Sequence, residues 1–334
     1  MARPPKPKED VCVLGGGLWG VVLAEHLAER GARVRLWEFV PEVAAALART
    51  RRHQLIPGFE LDARVQVHSD LPAAAAEASV LLFAVPSGAV AATARALRER
   101  ARPAPNAAAV NASKGVEPGT LATMGDVIAR ELPAVRGRVW TLSGPSFARE
   151  VARGVPTSLL LGGPAVPRAA RLAEVLHGGT ISVTPWPDRV GVELGGSLKN
   201  AIAVGAGILD GLGAGANTKA ALLVRGLAEM SSLIRACGGR ADTVYGLSGL
   251  GDLIATGTSG ESRNRAYGEK LGQGLTPARA QAEIPTVVEG VEAAAGARAL
   301  CLRRRVKAPL ISAIYRATQG VPARGVLEAL GFRS

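Results

Sequence analysis

Residues 10–38 constrain the fold of this chain more than any other stretch. DVCVL (10–14) reads as a short buried strand, and GGGLWG (15–20) follows it directly. VVLAEHLAER then has the pattern of a helix that Gly31 stops, and ARVRLWE (32–38) alternates as a second strand. Strand, G-x-G-x-x-G, helix and strand in that order make the dinucleotide fingerprint in its required context. Gly15 makes the tight turn, Gly17 lets a pyrophosphate approach the positive helix end, and Gly20 permits close packing. Leu18 and Trp19 lie between the glycines. Glu38 ends the second strand, where an acid accepts hydrogen bonds from the adenosine ribose and repels a 2′-phosphate. Phe39 follows, where a basic residue would favour that phosphate.

The pattern that begins there continues. SVLLFAVP (79–86), AAAVNASKG (107–115), VWTLSGPSFAREV (139–151), TSLLLGG (157–163) and TISVT (180–184) read as strands separated by helical stretches. Alternation of this kind predicts a doubly wound parallel sheet, in which ligands bind at the carboxyl ends of strands. Lys114 and Gly144 both fall just past such ends. After Asp188 no strand pattern appears and the chain reads as helical. The expected organisation is α/β: a Rossmann domain over 1–189 and an all-helical domain over 190–334. Residues 1–8 read as a frayed tail without the apolar segment of a signal peptide.

The helical part opens with a largely apolar run, Val190–Arg225, that contains Lys199 and Asn200. The helical neighbours of Lys199 are Gly195, Gly196, Ile202 and Ala203, none of which can pair with a charge. A lysine held against such neighbours loses solvation, its pKa falls, and it becomes a candidate proton donor near neutral pH. The alternative is a lysine that reaches water from the edge of a core helix. Glycines inside a helix cost about 1 kcal/mol each relative to alanine. Gly195, Gly196, Gly205 and Gly207 therefore call for close approach of a backbone or ligand. Farther on, GLSGLGDLIAT (246–256) reads as a glycine-rich turn into a helix. GTSGESRNRAYG (257–268) reads as a polar loop, and TVVEGVEAA (286–294) opens another helix.

Composition narrows the partners. The 334 residues carry a net charge of +12, which serves nucleic acid or anionic small molecules equally well. Aromatic residues make up only 4% and do not interleave with the basic ones, which argues against a nucleic-acid surface. Cys12, Cys237 and Cys301 are far apart and odd in number, so neither a disulfide framework nor metal spacing is visible. No apolar run is long enough to span a bilayer. The expected location is the cytoplasm.

Taken together, GGGLWG, NASKG, SGPSFA, GGSLKN, GLGDL, SRNR and VVEG resemble the bacterial NAD(P)-dependent sn-glycerol-3-phosphate dehydrogenases, in the right order from about residue 10 to 330. The resemblance implies a helical second domain similar to that of 6-phosphogluconate dehydrogenase. It also implies interconversion of dihydroxyacetone phosphate and sn-glycerol 3-phosphate, supplying glycerophospholipid synthesis. Carried over by motif, Lys199 is the catalytic lysine, and Lys114 touches substrate and nicotinamide. Gly144 and Ser146 line the substrate, with Ala148 near the cofactor. Asp252, Ser262, Arg263 and Asn264 complete the substrate site, Arg263 reaching the cofactor as well. Val287 and Glu289 contact the cofactor. Leu18 replaces a residue that is often small and polar in the family. Glu38-Phe39 replaces a small-then-basic pair, which points to NAD over NADP. The runner-up activity is a β-hydroxyacid-type dehydrogenase on the same scaffold. The non-enzymatic alternative is a nucleotide-sensing, nucleic-acid-binding regulator. The expected assembly is a homodimer.

Overall fold

The computed structural model describes residues 9–284 and 287–332; the tail read over 1–8 and Thr286 of the last helix motif lie outside them. The chain forms two compact units. One runs to Ser113 and takes in Met124–Leu142 and Ser146–Pro187; the other comprises Lys114–Thr123, Ser143–Pro145 and everything from Asp188 onward. A single division at 189/190 puts Lys114 and Gly144 with the sheet. Instead, the loops bearing them group with the helical unit, where Lys114 finds its ion-pair partner.

The first unit is an eight-stranded sheet in the order β3-β2-β1-β4-β5-β6-β7-β8. The strands are β1 (Asp10–Leu14), β2 (Arg33–Trp37), β3 (Gln66–His68), β4 (Val80–Phe83), β5 (Ala108–Asn111), β6 (Val139–Ser143), β7 (Thr157–Gly162) and β8 (Ile181–Trp186). β1 pairs in parallel with both β2 and β4, so the strand order reverses at β1. That is the switch point beside which such sheets bind ligands. The helices are α1 (Leu18–Glu29), α2 (Pro41–Thr50), α3 (Leu71–Ala75), α4 (Val90–Arg100), α5 (Met124–Glu131), α6 (Ala148–Ala152) and α7 (Pro167–Leu176). Every residue of β4 and β5 is buried, as expected of strands covered on both faces. The short edge strand β3 has no counterpart in the sequence pattern.

The second unit is helical: α8 (Arg189–Gly211), α9 (Gly215–Ala236), α10 (Asp252–Thr258), α11 (Arg263–Gly272), α12 (Pro277–Ala282), α13 (Glu289–Arg304), α14 (Pro309–Thr318) and α15 (Gly325–Ala329). The apolar run starting at Val190 is two helices rather than one. It breaks at Leu212–Ala214, where Gly213 and Gly215 take left-handed φ values of 68° and 76°. Asp188 caps α8 with Oδ1 on the Gly191 amide at 2.8 Å. Its Oδ2 accepts from Thr243 Oγ1 at 2.7 Å and the Arg240 amide at 2.8 Å.

From Gly191 to Leu209 every residue of α8 is buried. A helix buried on every side is a core helix, and burying each Leu, Ile or Val contributes about 1.5–3 kcal/mol. The glycines let α8 and α11 meet backbone to backbone. A Cβ on Gly207 would stand 1.9 Å from the Arg265 carbonyl oxygen, and one on Gly268 2.0 Å from that of Val204. The SRNR stretch is not a loop as its composition suggests. It contains the start of α11, with Ser262 Oγ capping the Arg265 amide at 3.2 Å and Tyr267 and Leu271 buried behind it.

No described helix is long and apolar enough to cross a membrane.

Candidate functional site

In the sheet unit the fingerprint glycines form a tight loop between β1 and α1. Gly15 has φ +111°, and a Cβ there would stand 2.9 Å from the Ala84 carbonyl oxygen. A Cβ on Gly20 would collide with the Gly15 oxygen at 1.9 Å. Around Gly17 the situation is reversed, with no protein atom within 4 Å of a would-be Cβ. Gly17 precedes α1 and supplies no side-chain cap, so the helix start offers bare amide donors and the positive end of its dipole. Open space and free donors at the switch-point edge suit a pyrophosphate. Leu18 and Trp19 open α1 and pack half-buried on the sheet core.

Glu38 leaves β2 and turns into this loop. Its Oε2 accepts from the Gly16 amide at 3.0 Å and its Oε1 from the Val40 amide at 2.9 Å. A fixed carboxylate therefore stands at the end of β2. Phe39 beside it is 75% exposed, its ring edge-on to Trp37 at 6.1 Å. The His53 ring hydrogen-bonds the Gly16 backbone. Burial lowers its pKa. Ser146 and Ala148, in the turn and first residue before and of α6, also belong to this unit and are half-buried.

In the helical unit two lysines converge on one carboxylate. Asp252, at the start of α10, is 3% exposed. Its Oδ2 lies 2.6 Å from Lys114 Nζ and its Oδ1 2.8 Å from Lys199 Nζ. Thr256, one turn along α10, accepts from Lys199 Nζ at 2.5 Å and donates to Asp252 Oδ1 at 3.1 Å. Lys114 also reaches the Gly144 carbonyl at 3.5 Å. The sequence shows no acid within one turn of Lys199; the counter-charge comes from another helix. Burial brings the Lys199 ammonium down to about 8, with Asp252 holding it up against the further pull of Lys114. For Asp252 burial works upward, but the two lysines outweigh it and keep the carboxyl below its usual range. An ammonium that loses its proton near neutral pH is suited to acid–base work.

Asn200, the next residue of α8, continues the polar line. Asn264 Nδ2 donates to Asn200 Oδ1 at 2.9 Å, and Asn200 Nδ2 donates to Glu289 Oε2 at 3.2 Å. Asn264 Oδ1 accepts from the Gly290 amide at 2.9 Å. Glu289, assigned to the cofactor by resemblance, thus stands in the lysine–asparagine cluster at the start of α13. Arg263 is exposed and donates through Nη1 to the Val287 carbonyl at 3.3 Å. Val287 is 69% exposed. Ser262 is buried, with its oxygen engaged as the cap of α11.

Three residues escaped the sequence reading. Thr256 follows Asp252 at i+4, a spacing that could have revealed it. Ser143 is buried with an unpartnered hydroxyl 2.4 Å from a would-be Cβ on Gly196, a point that is itself 3.8 Å from Lys114 Cδ. Ser248 is buried and equally unpartnered against Gly195. The orphaned Ser143 hydroxyl beside a lysine fits a polar ligand better than a sealed core. Among the described residues no group of three or more His, Cys, Asp or Glu could hold a metal ion.

Residues 10–165 match the model of the NAD-dependent glycerol-3-phosphate dehydrogenase N-terminus, and 188–324 that of its C-terminus. The chain is 43% identical to a glycerol-3-phosphate dehydrogenase [NAD(P)+] of Geobacter metallireducens, covering 96% of this chain and 97% of the relative. It is 42% identical to the protein of that name from Moorella thermoacetica, covering 97% and 96%. Among solved structures, glycerol-3-phosphate dehydrogenase from Coxiella burnetii superposes with a TM-score of 0.89 at 33% identity, covering 98% of this chain and 99% of that one. The chain belongs to the NAD-dependent glycerol-3-phosphate dehydrogenase family.

Proposed function

We propose that this protein interconverts dihydroxyacetone phosphate and sn-glycerol 3-phosphate with NAD(H) or NADP(H), supplying glycerophospholipid synthesis, and that Lys199 is its acid–base residue. The observation that carries the assignment of Lys199 is its buried ammonium, 2.8 Å from Asp252 Oδ1 and brought down to about 8 by burial.

The sheet unit binds the dinucleotide at Gly15, Gly17, Leu18, Trp19 and Gly20, with Glu38 and Phe39 at the adenosine end. The bound dinucleotide supplies the hydride that reaches the carbonyl carbon. The Lys199 ammonium donates its proton to the carbonyl oxygen as charge grows there, which both stabilises the oxyanion and completes the alcohol. In the oxidation direction the neutral amine takes that proton back. Asp252 and Thr256 hold the Lys199 nitrogen in place, and Lys114 supplies a second cation. Gly144, Ser146, Ser262 and Asn264 shape the substrate site. Arg263, a fixed charge with a planar fork, suits the phosphate end. Ala148, Val287 and Glu289 complete the cofactor contacts.

The same reading expects a cytoplasmic homodimer that acts on a small phosphate ester and leaves duplex DNA unbound at physiological salt. The deciding experiment is a steady-state assay of dihydroxyacetone phosphate reduction with NADH and with NADPH, for wild type and Lys199→Ala. The variant should fold normally and lose at least about 10²-fold in kcat. A folded Lys199→Ala enzyme with near-native kcat would remove Lys199 from the mechanism.

A further inference from the structure

Lys114 reaches Asp252 from the short hairpin that follows β5. Residues Lys114–Thr123 contain one isolated antiparallel bridge, between Val116 and Thr123. Gly119 and Leu121 take left-handed φ values of 79° and 56°, which shape the turn. The hairpin is closed by its own bonds, the Glu117 amide donating to the Ala122 carbonyl at 2.9 Å and the Leu121 amide to the Glu117 carbonyl at 2.8 Å, and it is tied to the helices by side chains. Arg303, on the last turn of α13, donates through Nη1 to the Thr120 carbonyl and through Nη2 to the Gly119 carbonyl, the latter at 2.8 Å. Lower down α13, a Cβ on Gly296 would come within 2.6 Å of Val116 Cγ2. From α8, Arg189 Nη1 donates both to Thr123 Oγ1 at 3.1 Å and to Glu193 Oε2 at 2.6 Å.

We propose that Arg303 is a positioning residue, whose guanidinium grips the turn at Gly119–Thr120 and thereby sets the Lys114 ammonium against Asp252. This rests on the reading of Lys114 as a site residue. Arg303 is exposed and is no part of the lysine cluster; both its acceptors are main-chain carbonyls. Two donors in a rigid fork match the two adjacent carbonyls of one turn and fix its orientation, which a single point charge cannot do. A site group must be held within about 0.5 Å of its working position, and here the holding is done from the opposite end of the hairpin.

A double-mutant cycle tests the proposal. Arg303→Ala, Arg303→Lys, Lys114→Ala and Lys114→Ala with Arg303→Ala are compared by kcat/KM for dihydroxyacetone phosphate, with thermal melts to confirm folding. Arg303→Ala should lower kcat/KM about tenfold, and Arg303→Lys should recover part of that loss. In the Lys114→Ala background the same substitution should cost less than about twofold, because the residue it positions is gone. Losses that multiply, or near-native kcat/KM in Arg303→Ala, would overturn the proposal and leave Arg303 a surface arginine. An unimpaired Lys114→Ala enzyme would overturn the underlying reading of Lys114, and the proposal with it. Should Arg303→Ala fail to fold, Arg303→Lys carries the same cycle.

Discussion

Replacing Asp252 with asparagine keeps its shape and removes its charge, so it isolates what the carboxylate does for Lys199. Its Oδ1 lies 2.8 Å from Lys199 Nζ. At that separation a unit charge pair is worth about 1.5 kcal/mol if screened as in water and about 6 kcal/mol at an effective dielectric of 20. At about 1.36 kcal/mol per pH unit, the Lys199 ammonium should lose its proton between about one and four pH units lower than in wild type, where it titrates at about 8. Reduction needs the protonated lysine, so wild-type kcat should fall as pH rises through 8, and glycerol 3-phosphate oxidation should rise through the same range. With the smallest shift, Asp252→Asn loses a further factor of about five at pH 8 and almost nothing at pH 6, on top of any pH-independent loss. The assay is kcat for dihydroxyacetone phosphate reduction from pH 5.5 to 9.5 at saturating cofactor. An unmoved alkaline limb in an active Asp252→Asn enzyme would refute the claim that this carboxylate sets the charge of Lys199.

Other expectations concern the two ends of the substrate and cofactor sites and the helix packing. Arg263→Ala should cut kcat/KM for dihydroxyacetone phosphate at least tenfold and leave the poor turnover of dihydroxyacetone nearly unchanged; equal losses would make Arg263 structural. Glu38 at the glycine loop should favour NADH over NADPH in kcat/KM by roughly tenfold to a hundredfold, the worth of a lost charged hydrogen bond. Glu38→Ser with Phe39→Arg should shift the preference toward NADPH, and a wild-type preference for NADPH would show that the carboxylate turns away from the ribose. Gly268→Ala drives a methyl into the Val204 carbonyl and should cost about 1–3 kcal/mol, read as a lower Tm and a raised KM; a melt identical to wild type would show that the helices separate freely.

Much of this was legible in the sequence because local rules and the global fold coincide there. The glycine loop needs Gly15, Gly17 and Gly20 for three different reasons, each visible in the order strand, loop, helix. Lys199 stood out because an isolated cation in an apolar helix violates the local pattern. Its partner did not, since Asp252 is brought to it by tertiary packing of α10 and leaves no periodic trace. The SRNR motif was misread as a loop because Ser, Asn and Arg dominate it; the helix forms because Ser262 caps it and Tyr267 and Leu271 find a core. The break between α8 and α9 was hidden by apolar residues on both sides, and only the left-handed Gly213 and Gly215 mark it.

The glycine contact between α8 and α11 has a consequence for how sequences of this kind can change. Lys199 and Asn200 ride on one helix, Arg263 and Asn264 on the other, and main-chain atoms set the spacing between the two. Side chains elsewhere in the core can be exchanged for others of similar volume without altering that spacing. A single methyl on Gly207 or Gly268 alters it at once. Drift is thus cheap across most of this domain and forbidden at a few positions that carry no chemistry at all. A search for substrate variants that mutates only residues lining the site would leave untouched the glycines that determine its length.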